Sequence, residues 1–185
     1  MLAKTPKSDH NPSILWTDLL LVAFLIGFDV VARLLPHAPG FMPIAASALF
    51  AGRMLRIGGL APIMPIAAMT LSGAALGPDD WRVTLIVYAA ISVPALAGVI
   101  SQRRRGAAVP FLVMLPCSMF FFVASNFAVW AFSGLYPPDW QGFAQCYVAA
   151  LPFLQNTVAG DMFWTAALFG GAYMVHSLPA LSRSR

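Results

Sequence analysis

Apolar residues fill six segments of the chain, which are separated by short polar or charged connections. The segments are Leu15–Leu35, Phe41–Leu55, Ile57–Gly77, Val83–Ser101, Val109–Ser133 and Phe153–His176. A helix of about 20 apolar residues crosses a hydrocarbon core about 30 Å thick. The second segment is short, so it would need Arg56 and Ile57 as additional length or a locally thinned bilayer. The pattern predicts an all-α membrane protein, a bundle of six transmembrane helices.

Basic residues alternate between the two ends of these segments. One set of flanks holds 9 of the 11 Lys and Arg residues. These are Lys4, Lys7, Arg53, Arg56, Arg103, Arg104, Arg105, Arg183 and Arg185. Arg33 and Arg82 lie on the opposite flanks. Because cytoplasmic loops of membrane proteins collect Lys and Arg, we expect both termini in the cytoplasm.

Composition supports a single membrane domain. The chain is 59% hydrophobic and 10% charged, whereas soluble domains are about 25% charged. We therefore expect a disordered polar leader at 1–13 with no signal-peptidase site, one transmembrane domain at 14–178, and a cytoplasmic tail at 179–185. The net charge of +4 comes from residues that flank helices, so it indicates contact with lipid headgroups and no binding of nucleic acid.

Strongly polar side chains concentrate in the outer half of the predicted bundle. They are Asp29, Arg33, Ser72, Ser125, Asn126, Trp130, Asn156, Thr157 and Asp161. Because a charge at membrane depth costs about 2.5–3.5 kcal/mol, such residues usually face a bundle interior or a wet cavity. The cluster predicts a pocket that opens outward. The alternative is a locked Asp29–Arg33 ion pair together with asparagines that only join helices.

Two further stretches have open interpretations. The aromatic connection Ser133–Leu151, which contains Tyr136, is either a lid or short re-entrant helix over the pocket or a passive interfacial belt. Ala23 and Gly27 form a small-residue face on the first segment, which serves either a partner protein or internal packing.

Catalytic and metal-binding patterns are absent from the sequence. Glu does not occur, and the chain has no HExxH, GxSxG or phosphate-binding glycine loop. His10, His37 and His176 fall at different depths, and Cys117 and Cys146 form no CxxC. We therefore expect no enzyme, no metal site and no resident cofactor, and an enzyme that acts on lipid is the least favoured class.

Several strings resemble a family of small bacterial membrane proteins, DUF6580, whose members are described as transport proteins. They are Arg33–His37 (RLLPH), Phe41–Ile44 (FMPI), Ala48–Gly52 (ALFAG), Ser125–Trp130 (SNFAVW), Leu135–Pro137 (LYP), Cys146–Phe153 (CYVAALPF) and Asn156–Asp161 (NTVAGD). Gly73 and Gln155 depart from the family pattern, which has Asp and Arg there. The resemblance implies a multi-pass protein of the bacterial cytoplasmic (inner) membrane.

The group is also similar, more distantly, to substrate-binding S components of energy-coupling-factor (ECF) vitamin transporters. That similarity implies an outward-facing pocket for a vitamin-sized substrate, and it gives Ala23 and Gly27 a role in contacting an ECF coupling subunit with its ATPases. The substrate-binding set would be Asp29, Arg33, Ser72, Asn126, Trp130, Tyr136, Asn156 and Asp161. A corrinoid is one option, with His37 or Cys146 as axial ligand. The alternative function is an accessory protein whose polar cluster only fixes helix packing.

Overall fold

The computed structural model describes residues 12–77 and 80–182, and the regular structure in that part of the chain is helical throughout. The helices are α1 (Pro12–Leu34), α2 (Ile44–Met54), α3 (Ile63–Leu76), α4 (Trp81–Ser101), α5 (Val109–Phe132) and α6 (Trp140–Ser182), with a 3-10 turn at Gly58–Leu60. Residues 1–11 of the predicted leader and 183–185 of the predicted tail lie outside the described residues.

Within the described residues, four helical stretches are long and apolar enough to cross a membrane. They are Ile14–Leu34, Gly58–Ala75, Trp81–Ser101 and Val109–Phe132. Their outer faces carry large exposed apolar side chains, among them Trp16, Leu20 and Leu112. Such surfaces suit a lipid environment, so these helices indicate a membrane protein.

The short second helix forms the centre of the bundle. Nine consecutive residues of α2, Ile44–Gly52, are buried, and the helix packs against α1, α3, α4, α5 and α6. Its 11 residues span only about 16 Å. The expectation that it extends through Arg56 and Ile57 is wrong, because α2 ends at Met54, and protein packs around its sides. A short segment is tolerated at membrane depth when protein surrounds it.

Two glycines set the closest helix contact of this centre. A Cβ added at Gly52 of α2 would lie 2.1 Å from the carbonyl oxygen of Ala95, and one added at Gly98 of α4 would lie 2.6 Å from the carbonyl oxygen of Leu49. Only residues without a side chain allow two backbones to approach this closely. The α2–α4 contact therefore depends on both glycines.

Hydrogen bonds between side chains and backbone groups join the helices at the Arg53 end of the bundle, where α2 ends and α1 begins. The buried carboxylate of Asp18 accepts hydrogen bonds from the amides of Arg56 and Ile57, at 2.9 and 2.8 Å. Arg53 donates to the carbonyl oxygens of Ser101 and Arg104, at 2.6 and 2.9 Å. These bonds join the ends of α1, α2 and α4.

The prediction of a long connection at Ser133–Leu151 is wrong, because α6 already begins at Trp140. The turn between α5 and α6 is short, and the Oδ1 atom of Asp139 accepts a hydrogen bond from the amide of Gly142 at 2.7 Å as α6 begins. Residues 140–151 are the first turns of a continuous 43-residue helix. They pack on α5 through Phe143, whose ring lies 5.3 Å from that of Trp130 and 4.5 Å from that of Tyr147. This stretch is therefore neither a loop lid nor a re-entrant helix.

Candidate functional site

A chamber of about 230 Å³ lies at the Arg33 end of the bundle, where α1 ends and α2 begins. Most of its wall is apolar, formed by Met42, Ile44, Ala45, Met69, Val87, Ile91 and Phe121. Three polar side chains line it: Arg33 of α1, and Thr157 and Asp161 of α6. The helices α1 and α6 thus bring a guanidinium and a carboxyl group to one small hollow.

Asp161 is held in place from two sides. Its side chain is 3% exposed, and its Oδ2 atom accepts a hydrogen bond from the Ser118 hydroxyl of α5 at 2.5 Å. The neighbouring Gly160 allows the connection before α2 to approach α6, since a Cβ there would lie 2.9 Å from the Cα of Phe41. The contacts with α5 and with the connection before α2 together fix the direction of the Asp161 carboxylate.

Asp29 is buried in the same way but lies outside the chamber. It is 2% exposed, and the Ser47 hydroxyl of α2 donates to its Oδ1 atom at 2.9 Å. Its Oδ2 atom has no hydrogen-bond partner in the part of the chain that the structure describes. The expected Asp29–Arg33 ion pair does not form, because Asp29 turns toward α2 whereas Arg33 turns toward α3.

Arg33 points at the junction of α1 and α3. One Nη atom donates to the Ser72 hydroxyl at 3.3 Å and contacts the sulfur of Met69. The Nε atom is buried without a partner. Ser72, also in the predicted site, is buried and donates its own proton to the carbonyl oxygen of Ala68 at 2.6 Å. It does not line the chamber but contacts Arg33, which does.

A larger cleft of about 900 Å³ opens between α3 and α4 beside the chamber. Arg33, Met69 and Val87 line both hollows, so these side chains form the partition between them. Tyr88 and Gly73 also line the cleft, and a Cβ added at Gly73 would meet only the Tyr88 hydroxyl, at 3.7 Å. Gln155, the other departure from the family pattern, is exposed and lines neither hollow.

Like Asp29 and Ser72, four further residues of the predicted site line neither hollow. The Asn126 amide donates to the Phe122 carbonyl of its own helix at 2.7 Å, and the Trp130 indole donates to the Pro137 carbonyl at 3.1 Å. Tyr136 lies in the α5–α6 turn, and Asn156 is half-buried on α6. None of the four lines the chamber or the cleft.

Sequence reasoning missed Met69 and Tyr88 as members of the site and left Thr157 out of the predicted set. Helical spacing could have found two of them, because Thr157 precedes Asp161 by one turn and Met69 precedes Ser72 by three residues. Tyr88 lies inside α4 and lines the cleft.

Ala23 and Gly27 lie on the outer face of α1. Both are exposed, and a Cβ added at Gly27 would meet nothing within 4 Å. Internal packing, one of the two roles considered for them, is therefore wrong.

The two candidate axial ligands of a corrinoid do not meet in the chamber. The Nδ1 atom of His37 lies 2.6 Å from the Leu35 carbonyl oxygen in an exposed connection, and the buried Cys146 thiol donates to the Asn126 carbonyl oxygen at 3.5 Å. Across residues 12–77 and 80–182, no group of three His, Cys, Asp or Glu side chains is arranged to hold a metal ion. The chamber thus offers no axial ligand from either residue.

Comparison with known proteins identifies the family. No curated protein matches the chain, and no solved structure does. The model of a family of unknown function, DUF6580, matches residues 13–181. Because this match includes all six helices of the bundle, the chain belongs to the DUF6580 family.

Proposed function

We propose that this protein is a membrane transport protein that binds a small, vitamin-like organic substrate or cofactor precursor in the chamber at its Arg33 end. The observation that carries the proposal is the convergence of Arg33 and Asp161 on one mostly apolar hollow. Binding sites for small molecules are typically apolar cavities with a few placed polar groups. An acceptor group of the substrate would face Arg33, and a donor group would face Asp161.

The arrangement of the protein in the membrane follows from the charge pattern. We place both termini in the cytoplasm and the Arg33 end at the outer face of the bacterial inner membrane, since most Lys and Arg flank the opposite ends of the helices. The chamber then opens outward, as in the S components of ECF transporters.

Release of the substrate requires a rearrangement of helices. The core of α2, including Ala46, Leu49 and Ala51, is 0% exposed and fills the space between the chamber and the Arg53 end. No ready path crosses this part of the described structure, so substrate would leave only when the bundle moves or tilts. A coupling subunit with ATPases could drive that movement by packing on the open α1 face at Ala23 and Gly27.

The competing function is an accessory membrane protein whose buried acids only fix helix packing. It is favoured by the hydrogen bonds from Ser47 to Asp29 and from Ser118 to Asp161, which give both carboxylates partners inside the bundle. The two functions differ in one respect. Of the two buried aspartates, only Asp161 lines the chamber. Substitution of Asp161 should therefore reduce substrate binding, whereas substitution of Asp29 should affect only helix packing.

Asp161→Asn is expected to weaken substrate retention at least about tenfold, while the protein stays folded. The asparagine Oδ1 atom can still accept the Ser118 hydrogen bond, but the charged acceptor toward the chamber is lost, and a hydrogen bond to a charged group contributes about 1.5–3 kcal/mol. The measurement is native mass spectrometry of protein purified from rich-medium cells, which records the small molecule carried by each variant.

Asp29→Asn is the matched control, because Asp29 is equally buried and also bonded to a serine but lies outside the chamber. It should retain the small molecule like the unmodified protein. Equal retention in both variants, or no bound molecule in any sample, would contradict the proposal and favour the accessory function.

A further inference from the structure

Arg33 is a cation that has no counter-ion among the described residues. Its contacts are the Met69 thioether and the Ser72 hydroxyl, whose proton is already given to the Ala68 carbonyl. The buried Nε atom has no partner, and no carboxylate among residues 12–77 and 80–182 pairs with the guanidinium. Because an uncompensated charge at membrane depth is costly, an arginine in this state is suited to an anionic ligand.

The position of Arg33 between two hollows limits the shape of that ligand. The guanidinium lies where the chamber joins the α3–α4 cleft. At the rim of the cleft, Trp81 is 68% exposed and Leu85 is 62% exposed, on a surface that also carries other exposed apolar side chains. An anionic group at Arg33 would therefore leave the rest of the ligand in an apolar cleft that opens sideways toward lipid.

Tyr88 adds a second polar contact on the cleft side. Its ring lines the cleft, and its hydroxyl makes no hydrogen bond with any described residue. Because the Tyr88 phenol and the Arg33 guanidinium line the same cleft, both can donate to an oxyanion bound there. Asp161 and Thr157 stay on the chamber side of the partition.

We propose that the substrate is an amphipathic anion, with a carboxylate or phosphate group bound by Arg33 and Tyr88 and an apolar portion held in the α3–α4 cleft, which it enters from the bilayer. This inference rests on the proposed function: Arg33 lines both hollows, so the site of the substrate extends from the chamber into the cleft. The anionic group can belong to a free lipophilic acid or to a phospholipid, since the guanidinium binds both kinds of oxyanion.

Four probes with the same ten-carbon chain test the charge. Decanoate and decyl phosphate carry the anion, decanol is neutral, and decyltrimethylammonium is cationic. With the full-length protein in phosphatidylcholine nanodiscs, we expect decanoate or decyl phosphate to bind at least tenfold more tightly than decanol, with decyltrimethylammonium the weakest. In nanodiscs that contain phosphatidylglycerol, loss of decanoate binding identifies the phospholipid as the natural source, whereas unchanged binding identifies a free acid.

Gly73→Asp tests the role of Arg33 without altering it. The new Cβ fits, because its nearest neighbour would be the Tyr88 hydroxyl at 3.7 Å, and the carboxylate would supply the missing counter-ion from within the protein. We expect decanoate binding to weaken at least tenfold. The matched variant Gly73→Asn adds nearly the same volume to the cleft but no charge, so decanoate binding should weaken at least about threefold less in it than in Gly73→Asp.

The outcomes separate this inference from the proposed function. If neither decanoate nor decyl phosphate binds more tightly than decanol, or if Gly73→Asp and Gly73→Asn have equal effects, the amphipathic anion is overturned. If a co-purified molecule is nevertheless lost in Asp161→Asn, the chamber still binds a substrate and only the substrate class is wrong. If neither a probe nor a co-purified molecule binds, both proposals fall.

Discussion

Gly52→Ala is expected to prevent folding or to lower the free energy of unfolding by about 3 kcal/mol or more. The added methyl carbon would lie 2.1 Å from the Ala95 carbonyl oxygen and 2.9 Å from the Cα of Gly98. Both neighbours are backbone atoms, so no side-chain rotation can relieve the overlap. The helices α2 and α4 would have to move apart at the centre of the bundle, which is measured as loss of the monodisperse peak in size-exclusion chromatography of detergent-solubilised protein.

Gly27→Ala provides the control for this experiment. The same substitution in α1 meets nothing within 4 Å, and alanine is favoured over glycine inside a helix by about 0.5–1 kcal/mol. This variant should therefore be as stable as the unmodified protein or slightly more stable. Similar behaviour of the two variants would show that α2 and α4 are not in close contact.

Asp18→Ala is expected to lower the stability of the bundle by about 2–3 kcal/mol. The carboxylate of this α1 residue accepts two backbone hydrogen bonds from the chain that follows α2, and a hydrogen bond to a charged group contributes about 1.5–3 kcal/mol. The loss corresponds to a melting temperature lower by about 5–10 °C in a chain of this size. Thermal unfolding in detergent, followed by tryptophan fluorescence, measures it.

Asp18→Asn separates the hydrogen bonds from the burial of the side chain. One oxygen, Oδ2, accepts both amides, and the asparagine Oδ1 atom can take its place. The melting temperature should therefore stay closer to that of the unmodified protein than to that of Asp18→Ala. A drop as large as in Asp18→Ala would indicate that the negative charge, and not the two hydrogen bonds, stabilises this end of the bundle.

The helical architecture is readable from the sequence, because apolar segments of membrane-spanning length are a strong and local signal. The burial of α2 is not, since its run of apolar residues looks the same whether lipid or protein surrounds it. The central position of α2 is seen only in the structure, where Gly52 packs against Gly98 of α4. The start of α6 at Trp140 could not be predicted for a related reason. The same aromatic residues can form an interfacial belt or the face of a helix that packs on α5.

The candidate site could be predicted in part. Polar side chains at membrane depth usually face an interior, which predicts that Arg33 and Asp161 line a cavity, and both line the chamber. The direction in which each side chain points could not be predicted from the sequence. The i, i+4 spacing of Asp29 and Arg33 permits an ion pair, yet Ser47 provides Asp29 with another partner on α2. Asn126 shares the depth of the cluster but bonds to its own helix.

A density map of the protein in lipid nanodiscs tests the central claim most directly, since that claim is the presence of a ligand hollow at Arg33. We predict non-protein density in the chamber within hydrogen-bonding distance of the Arg33 guanidinium, continuing into the cleft between α3 and α4. A map in which Arg33 extends into lipid, or in which side chains fill the space between Arg33 and Asp161, would contradict the account.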